Sequence, residues 1–264
     1  MNNTPRLQAK SVTLGYERRI ISDTLSVAIP DGSFTVIVGP NASGKSTLLR
    51  ALARLLAPSS GQIVLDGKEI GKYAAKAVAS RIGLLPQSSV APEGISVFDL
   101  VSRGRYPHQS FLRQWSKADE AAVRQAMELT GIADLAARPV DELSGGQRQR
   151  VWIGMVLAQE TPILLLDEPT TFLDIAHQIE LLDLCRHLSR HSGRTLVAAL
   201  HDLNHACRYA THIIAMREGA IVAEGAPTSI VTAQLVEDVF GLSCMVIDDP
   251  VSATPLIVPR SKQV

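Results

Sequence analysis

Cysteine is scarce in this chain: three among 264 residues, at Cys185, Cys207 and Cys244, with no C-x-x-C pair. An odd, widely spaced set excludes a disulfide framework and a zinc ribbon, and reads as small apolar residues buried in a reducing compartment. Net charge is lacking as well. Lys plus Arg and Asp plus Glu each number 26, so no basic field calls for a nucleic-acid partner. Long apolar runs are missing too: stretches such as "ILLL" (163–166) are strand-sized, well below the ~18 residues of a membrane span. The opening "MNNTPRLQAK" has no apolar core of a secretion signal. These absences predict a cytosolic chain whose membrane role, if it has one, runs through a partner.

What is present is an apolar fraction of 46%, enough for a packed interior, and a pattern of alternating strands and helices. Residues 7–36 form short β-rich runs, and "SFTVIVG" (33–39) is an apolar strand. "KSTLLRALARLL" (45–56) has helical spacing until Pro58. "GQIVLDGKEI" (61–70) reads as a hairpin turning at Asp66-Gly67. Residues 90–159 are mostly helical in pattern. "PILLLDEP" (162–169) and "TLVAALHD" (195–202) are buried strands, and "HIIAMREGAIVAEG" (212–225) is a hairpin. The pattern predicts one parallel α/β core interrupted by a helical insertion.

The first glycine motif, "GPNASGKST", runs from Gly39 through Pro40, Asn41, Ala42, Ser43, Gly44, Lys45 and Ser46 to Thr47. It fits G-x-x-x-x-G-K-[ST] and lies between an apolar strand and a helix, the context a phosphate cradle requires. Backbone N–H groups and the helix dipole converge on phosphate oxygens there. Lys45 is placed for the β- and γ-phosphates and Ser46 for Mg²⁺. Asp167, ending a buried strand, is the second metal candidate. Glu168 follows it, points elsewhere, and is a candidate base for an attacking water. A second glycine motif, "LSGGQRQR" (143–150), presents Ser144, Gly145, Gly146 and Gln147. Ser144 and Gln147 have the spacing of a capping box, and a capped helix start is also an anion site. One nucleotide needs only one cradle, and which phosphate this second one faces is open from the residues alone.

Taken in order, "GPNASGKST", "LPQ" (85–87), "LSGGQ", "ILLLDEPT", "FLD" (172–174) and "LHD" (200–202) resemble the ABC-transporter ATPases. "GRYPH" (104–108) and "LHDLNHACRYA" narrow the likeness to the ATPase subunits of iron-siderophore, haem and cobalamin importers. The resemblance implies a RecA-like P-loop core with an antiparallel β subdomain, over residues 5–87 and 160–250, and an α-helical subdomain over 88–159. It implies a head-to-tail homodimer in which the signature of one chain closes over the nucleotide of the other, with Asp174 reaching across. His201 would contact the γ-phosphate, Gln87 would sense Mg²⁺ or the lytic water, and Tyr16 would stack on adenine. ATP and Mg²⁺ are the implied cofactors.

The implied partners are permease subunits at the cytoplasmic face of the membrane and, indirectly, a substrate-binding protein; nucleic acid is not among them. A ferric siderophore, such as the catecholate ferric enterobactin, is the implied cargo, with haem or cobalamin the alternative. A cytosolic ABC ATPase acting on nucleic acid or ribosomes fits less well, since the interval from Lys45 to Ser144 leaves no room for a coiled-coil arm. A simple P-loop kinase or GTPase would leave "LSGGQ" unexplained and lacks N-K-x-D. Composition places Arg103, Arg105 and Tyr106, within "RGRYPHQSFLRQW" (103–115), against the permease. Two departures from the family pattern stand out. Ala42 replaces a frequent glycine and should be tolerated if its φ is negative. Gly154 replaces a frequent alanine and should cost about 0.5–1 kcal/mol of helix stability. The pair His187 and His191 lacks a companion ligand and is expected at the surface.

Overall fold

The computed structural model describes residues 5–17, 19–87, 89–110 and 115–261. The chain opens with β1 (Leu7–Tyr16), β2 (Arg19–Ile29) and β3 (Phe34–Val38), then α1 (Lys45–Leu52), β4 (Ser60–Leu65) and β5 (Lys68–Glu69). A short α2 (Ala75–Ala79) leads into β6 (Ile82–Leu85). Helices α3 (Val97–Ser102), α4 (Lys117–Leu129) and α5 (Gly145–Ala158) follow, with a 3₁₀ segment at Arg103–His108. Next come β7 (Ile163–Asp167), α6 (Ile175–Ser192), β8 (Thr195–Ala199), α7 (Leu203–Tyr209), β9 (His212–Arg217) and β10 (Ala220–Gly225). Two helices, α8 (Pro227–Ile230) and α9 (Ala233–Phe240), precede a final hairpin of β11 (Cys244–Asp248) and β12 (Pro255–Pro259).

The main sheet has the order β10-β9-β3-β8-β7-β6, parallel except for the antiparallel edge strand β10. Its central strands are apolar on both faces, and the period of two assigns successive residues to two different cores. Leu164 and Leu166 of β7 join the core containing α3, α4, α5 and α6. Ile163 and Leu165 join the core of α1 and the antiparallel sheet β2-β1-β4-β5. Strands β3, β8 and β9 alternate in the same way.

Parallel pairing puts every carboxyl end of β3, β8, β7 and β6 on one edge, where α/β sheets collect their ligand-binding loops. The glycine loop, the His201 turn, Asp167–Glu168 and Gln87 leave those ends. The hairpin expected at Asp66-Gly67 is present as β4–β5, and the one at 212–225 as β9–β10. The closing hairpin is fastened to α7: Asn204 exchanges two hydrogen bonds with the backbone of Ile257, and Arg208 pairs with the buried carboxylate of Asp249. No helix among the described residues is long and apolar enough to cross a membrane.

Candidate functional site

The glycine loop needs its glycines. A Cβ on Gly39 would lie 2.2 Å from the carbonyl oxygen of Met216 on β9, so only glycine lets the loop leave β3 against that strand. Gly44 has φ 101° at the start of α1. Ala42 also has positive φ, 63°, so the condition set by the sequence is not met: a residue with a Cβ stands in the left-handed region. Lys45 is buried, and its Nζ donates to the carbonyls of Gly39 (2.9 Å) and Pro40 (3.0 Å). Burial pulls its ammonium below the usual lysine range, while Glu168 and Asp167 pull it back up. The Oγ of Ser43 is buried without a hydrogen-bond partner, an unfilled demand inside the loop.

Ser46 donates to Asp167 across 2.8 Å. Burial raises the pKa of Asp167, the Ser46 bond opposes that rise, and the neighbouring Glu168 adds to it. The hydroxyl and carboxylate form a hard-oxygen pair of the kind Mg²⁺ takes, with phosphate and water completing the shell. Glu168 has φ 52°, which turns it away from Asp167, and its Oε1 lies 2.7 Å from Nε2 of His201. A cavity of about 600 Å³ is lined by Asn41 to Thr47, Gln87, Glu168 and His201, joined by Arg19 and Ile21 of β2. Its volume suits a nucleotide. Arg19 and Ile21 carry no motif that would have revealed them. Tyr16 does not line the cavity; it is 41% exposed, and its hydroxyl accepts from Arg50 on α1 at 3.2 Å.

The second glycine motif stands apart from this cavity. Ser144 caps α5: its Oγ accepts from the Gln147 N–H at 3.2 Å, and Gln147 returns a bond to the Ser144 N–H at 3.1 Å. Ser144 and Gly145 are exposed and Gly146 and Gln147 half-buried, and none of the four lines the nucleotide cavity of their own chain. Asp174 caps α6, accepting from the N–H and Nδ1 of His177 at 3.0 and 2.8 Å. Between these caps Phe172 is 74% exposed. The face presented here, mostly glycine and polar side chains around Phe172, is a surface rather than a closed pocket.

A second concavity, of about 490 Å³, lies between Ile95, Phe98, Asp99, Ser102, Arg103, Tyr106, Gln109 and Trp115. Arg103 and Tyr106 face it. Arg105 does not. It is 5% exposed and binds Asp119, Glu160 and the carbonyl of Ala158 within its own chain, so the expectation that it anchors a partner is overturned. Residues 111–114 of that stretch lie outside the described residues. A Cβ on Gly154 would meet Thr130 Oγ1 at 3.2 Å and Ile132 Cδ1 at 3.3 Å, so the helix-propensity gain expected of alanine comes with crowding that those two side chains must relieve. His187 and His191 are stacked 4.4 Å apart on α6, and no group of three potential ligands occurs among the described residues.

A glycine loop between strand and helix, a buried carboxylate beside its serine and a carboxylate–imidazole pair over the cavity define a P-loop nucleotide-binding ATPase. Residues 22–171 match the ABC transporter family, and the chain belongs to it. Over 257 residues it is 61% identical to the ferric enterobactin transport ATP-binding protein FepC of Escherichia coli, covering 97% of this chain and 95% of that one. It is 52% identical to the achromobactin transport ATP-binding protein CbrD of Dickeya dadantii, covering 97% and 96%. Among solved structures, an ABC transporter assigned to the metal-chelate type, in an inward-facing conformation, superposes with a TM-score of 0.82 over 98% of both chains at 27% identity.

Proposed function

We propose that this chain is the ATP-binding and ATP-hydrolysing subunit of an importer for a ferric siderophore, ferric enterobactin or a similar catecholate. It works as a homodimer bound to permease subunits at the cytoplasmic face of the membrane, with a substrate-binding protein delivering cargo to the far side. The hydrolytic part is carried by Glu168 and His201, in contact at 2.7 Å over a cavity that also holds Lys45 and Ser46. The cargo reading is supported by the siderophore transport proteins named above, which the chain matches along nearly its whole length.

Bound ATP with Mg²⁺ supplies the phosphoryl group to be transferred and the charge that neutralises it. The residues then divide the work. The backbone N–H groups of residues 41–47 and the Lys45 ammonium would hold the phosphates. Ser46 and Asp167, with Gln87, would hold the metal. Glu168 takes the proton of the attacking water, and His201 fixes that carboxylate and donates toward the terminal phosphate. The base would pass Arg19 and Ile21 at the cavity wall and reach Tyr16, which stands outside the cavity, for stacking. Ser144, Gly145, Gly146, Gln147 and Asp174 serve the partner's nucleotide, a role supported by their exposure and their absence from the cavity of their own chain. Residues 5–87 and 160–250 act as core and β subdomain, and 88–159 as the helical subdomain whose groove receives the permease.

The deciding variant is Glu168→Gln. It should bind ATP and close the dimer while hydrolysis falls about 10²-fold or more, the scale expected for loss of a general base. Rapid turnover by that variant would remove Glu168 from the mechanism. Uptake of a labelled iron chelate in cells lacking the native ATPase tests the cargo.

A further inference from the structure

The 3₁₀ segment 103–108 is two-sided. Arg103 and Tyr106 face the 490 Å³ groove, whereas Gly104 and Arg105 are buried. Gly104 allows this: a Cβ there would sit 2.1 Å from the carbonyl of Met155, so the segment lies directly on the last turns of α5. At that contact one guanidinium joins three places. Arg105 Nε donates to Asp119 at 2.9 Å, and Nη1 donates to the Ala158 carbonyl at 2.6 Å and to Glu160 at 2.7 Å. Asp119 is the N3 residue of the capping box that opens α4, and Ala158 ends α5, where a cation also meets the negative end of the helix dipole.

The line continues inward. His108 bonds the carbonyl of Gln159 at 2.7 Å, and the Gln159 side chain donates to the carbonyls of Ala79 and Ile82. Ile82 begins β6, the strand that ends just before Gln87. The far end of α5 is the signature, Ser144 to Gln147. The groove, the signature helix and the strand leading to Gln87 are therefore joined through the 103–108 segment, by Arg105 at Ala158 and by His108 at Gln159.

The geometry points to Arg105 as a positioning residue for coupled hydrolysis: it transmits displacement of the groove to the C-terminal end of the signature helix. This rests on the groove being the permease docking site. Arg105 touches neither nucleotide nor permease, and its charge is used wholly within the chain. The planar fork matters because Nε and Nη1 donate from two separate positions, to Asp119 on one side and to Ala158 and Glu160 on the other, which one ammonium nitrogen cannot occupy at once.

The test uses the complete transporter, ATPase subunits with their membrane partners in vesicles. It reads the ratio of cargo-stimulated to basal ATP hydrolysis, with nucleotide Kd and Tm for each variant. Arg105→Lys should keep Kd and basal rate while the stimulation ratio falls by about 2- to 30-fold, the range for residues on a coupling route. Because breaking a buried pair on one side destabilises strongly, the paired variant Arg105→Met/Asp119→Asn removes both charges of the pair while the amide oxygen can still accept from Ser116 at the α4 cap. It should fold, bind nucleotide normally and still lack stimulation. If the paired variant is stimulated like wild type while Tyr106→Ala is not, Arg105 only holds the fold and the proposal is overturned. If Arg103→Ala and Tyr106→Ala are both stimulated normally, the groove is not the docking site, and the premise fails instead. If the paired variant does not fold, the ratio for Arg105→Lys decides alone, and a wild-type ratio refutes the proposal.

Discussion

Replacing Ala42 by glycine should stabilise the protein. At φ 63° the Cβ of Ala42 crowds the following carbonyl, a strain of about 1–2 kcal/mol for an L-residue. Glycine removes that strain but adds unfolded-chain entropy worth about 0.5–1 kcal/mol. Ala42 is exposed, so the lost methyl removes little packing. The balance is a gain of about 0.5–1 kcal/mol, or roughly 1–4 °C in Tm for a chain of this size. Urea and thermal unfolding of nucleotide-free wild type and Ala42→Gly measure it. A lower midpoint in the glycine variant would mean that the loop does not hold residue 42 in the left-handed region, and the strain argument would fall.

Other outcomes follow from the same geometry. The hydrogen bond from Arg6, helped by the charge of Arg81, holds the Asp66 carboxyl below its usual range. A depressed carboxyl contributes stability above its unfolded pKa of ~3.9 and loses it as pH falls through the folded value. Asp66→Asn should therefore cost roughly 0.5–1 kcal/mol near neutrality, and the gap to wild type should vanish in thermal scans taken toward acid pH; a constant gap would contradict this. Burial pushes the Cys185 and Cys207 thiols up to about 12, so a thiol reagent should label them only after unfolding; prompt labelling in native buffer would show the interior to be open. Mixing a Ser144-defective chain with a Lys45-defective chain should restore one working site per heterodimer, and persistent inactivity of the mixture would refute the shared site.

What could be read from the residues was chemistry set by local spacing. The loop from Gly39 to Thr47, the Asp167–Glu168 strand end and the Ser144–Gln147 box each carry their meaning within a few positions, because phosphate cradles and helix caps are local geometries. Arg105 was misread for the opposite reason. Its partners, Asp119, Ala158 and Glu160, lie on other elements, and an arginine beside aromatics looks the same whether it faces a partner or an interior carboxylate. The crowding around Gly154 was equally hidden, since Thr130 and Ile132 come against it only when α5 packs on the end of α4. The arrival of Arg19 and Ile21 at the cavity is likewise set by neighbours distant in sequence. The fastening of β11–β12 to α7 has no local signature either.

The two-sided sheet has one further consequence. The phosphate loop grows from a helix seated in one apolar core, and the second glycine motif from a helix seated in the other. Damage therefore sorts by side. A cavity cut beneath Leu48 or Leu49 would slacken the grip on the chain's own nucleotide while leaving what it offers its neighbour intact. A cavity cut beneath Val151 or Val156 would do the reverse, so in a dimer of one damaged and one sound chain the two defects would disable opposite sites.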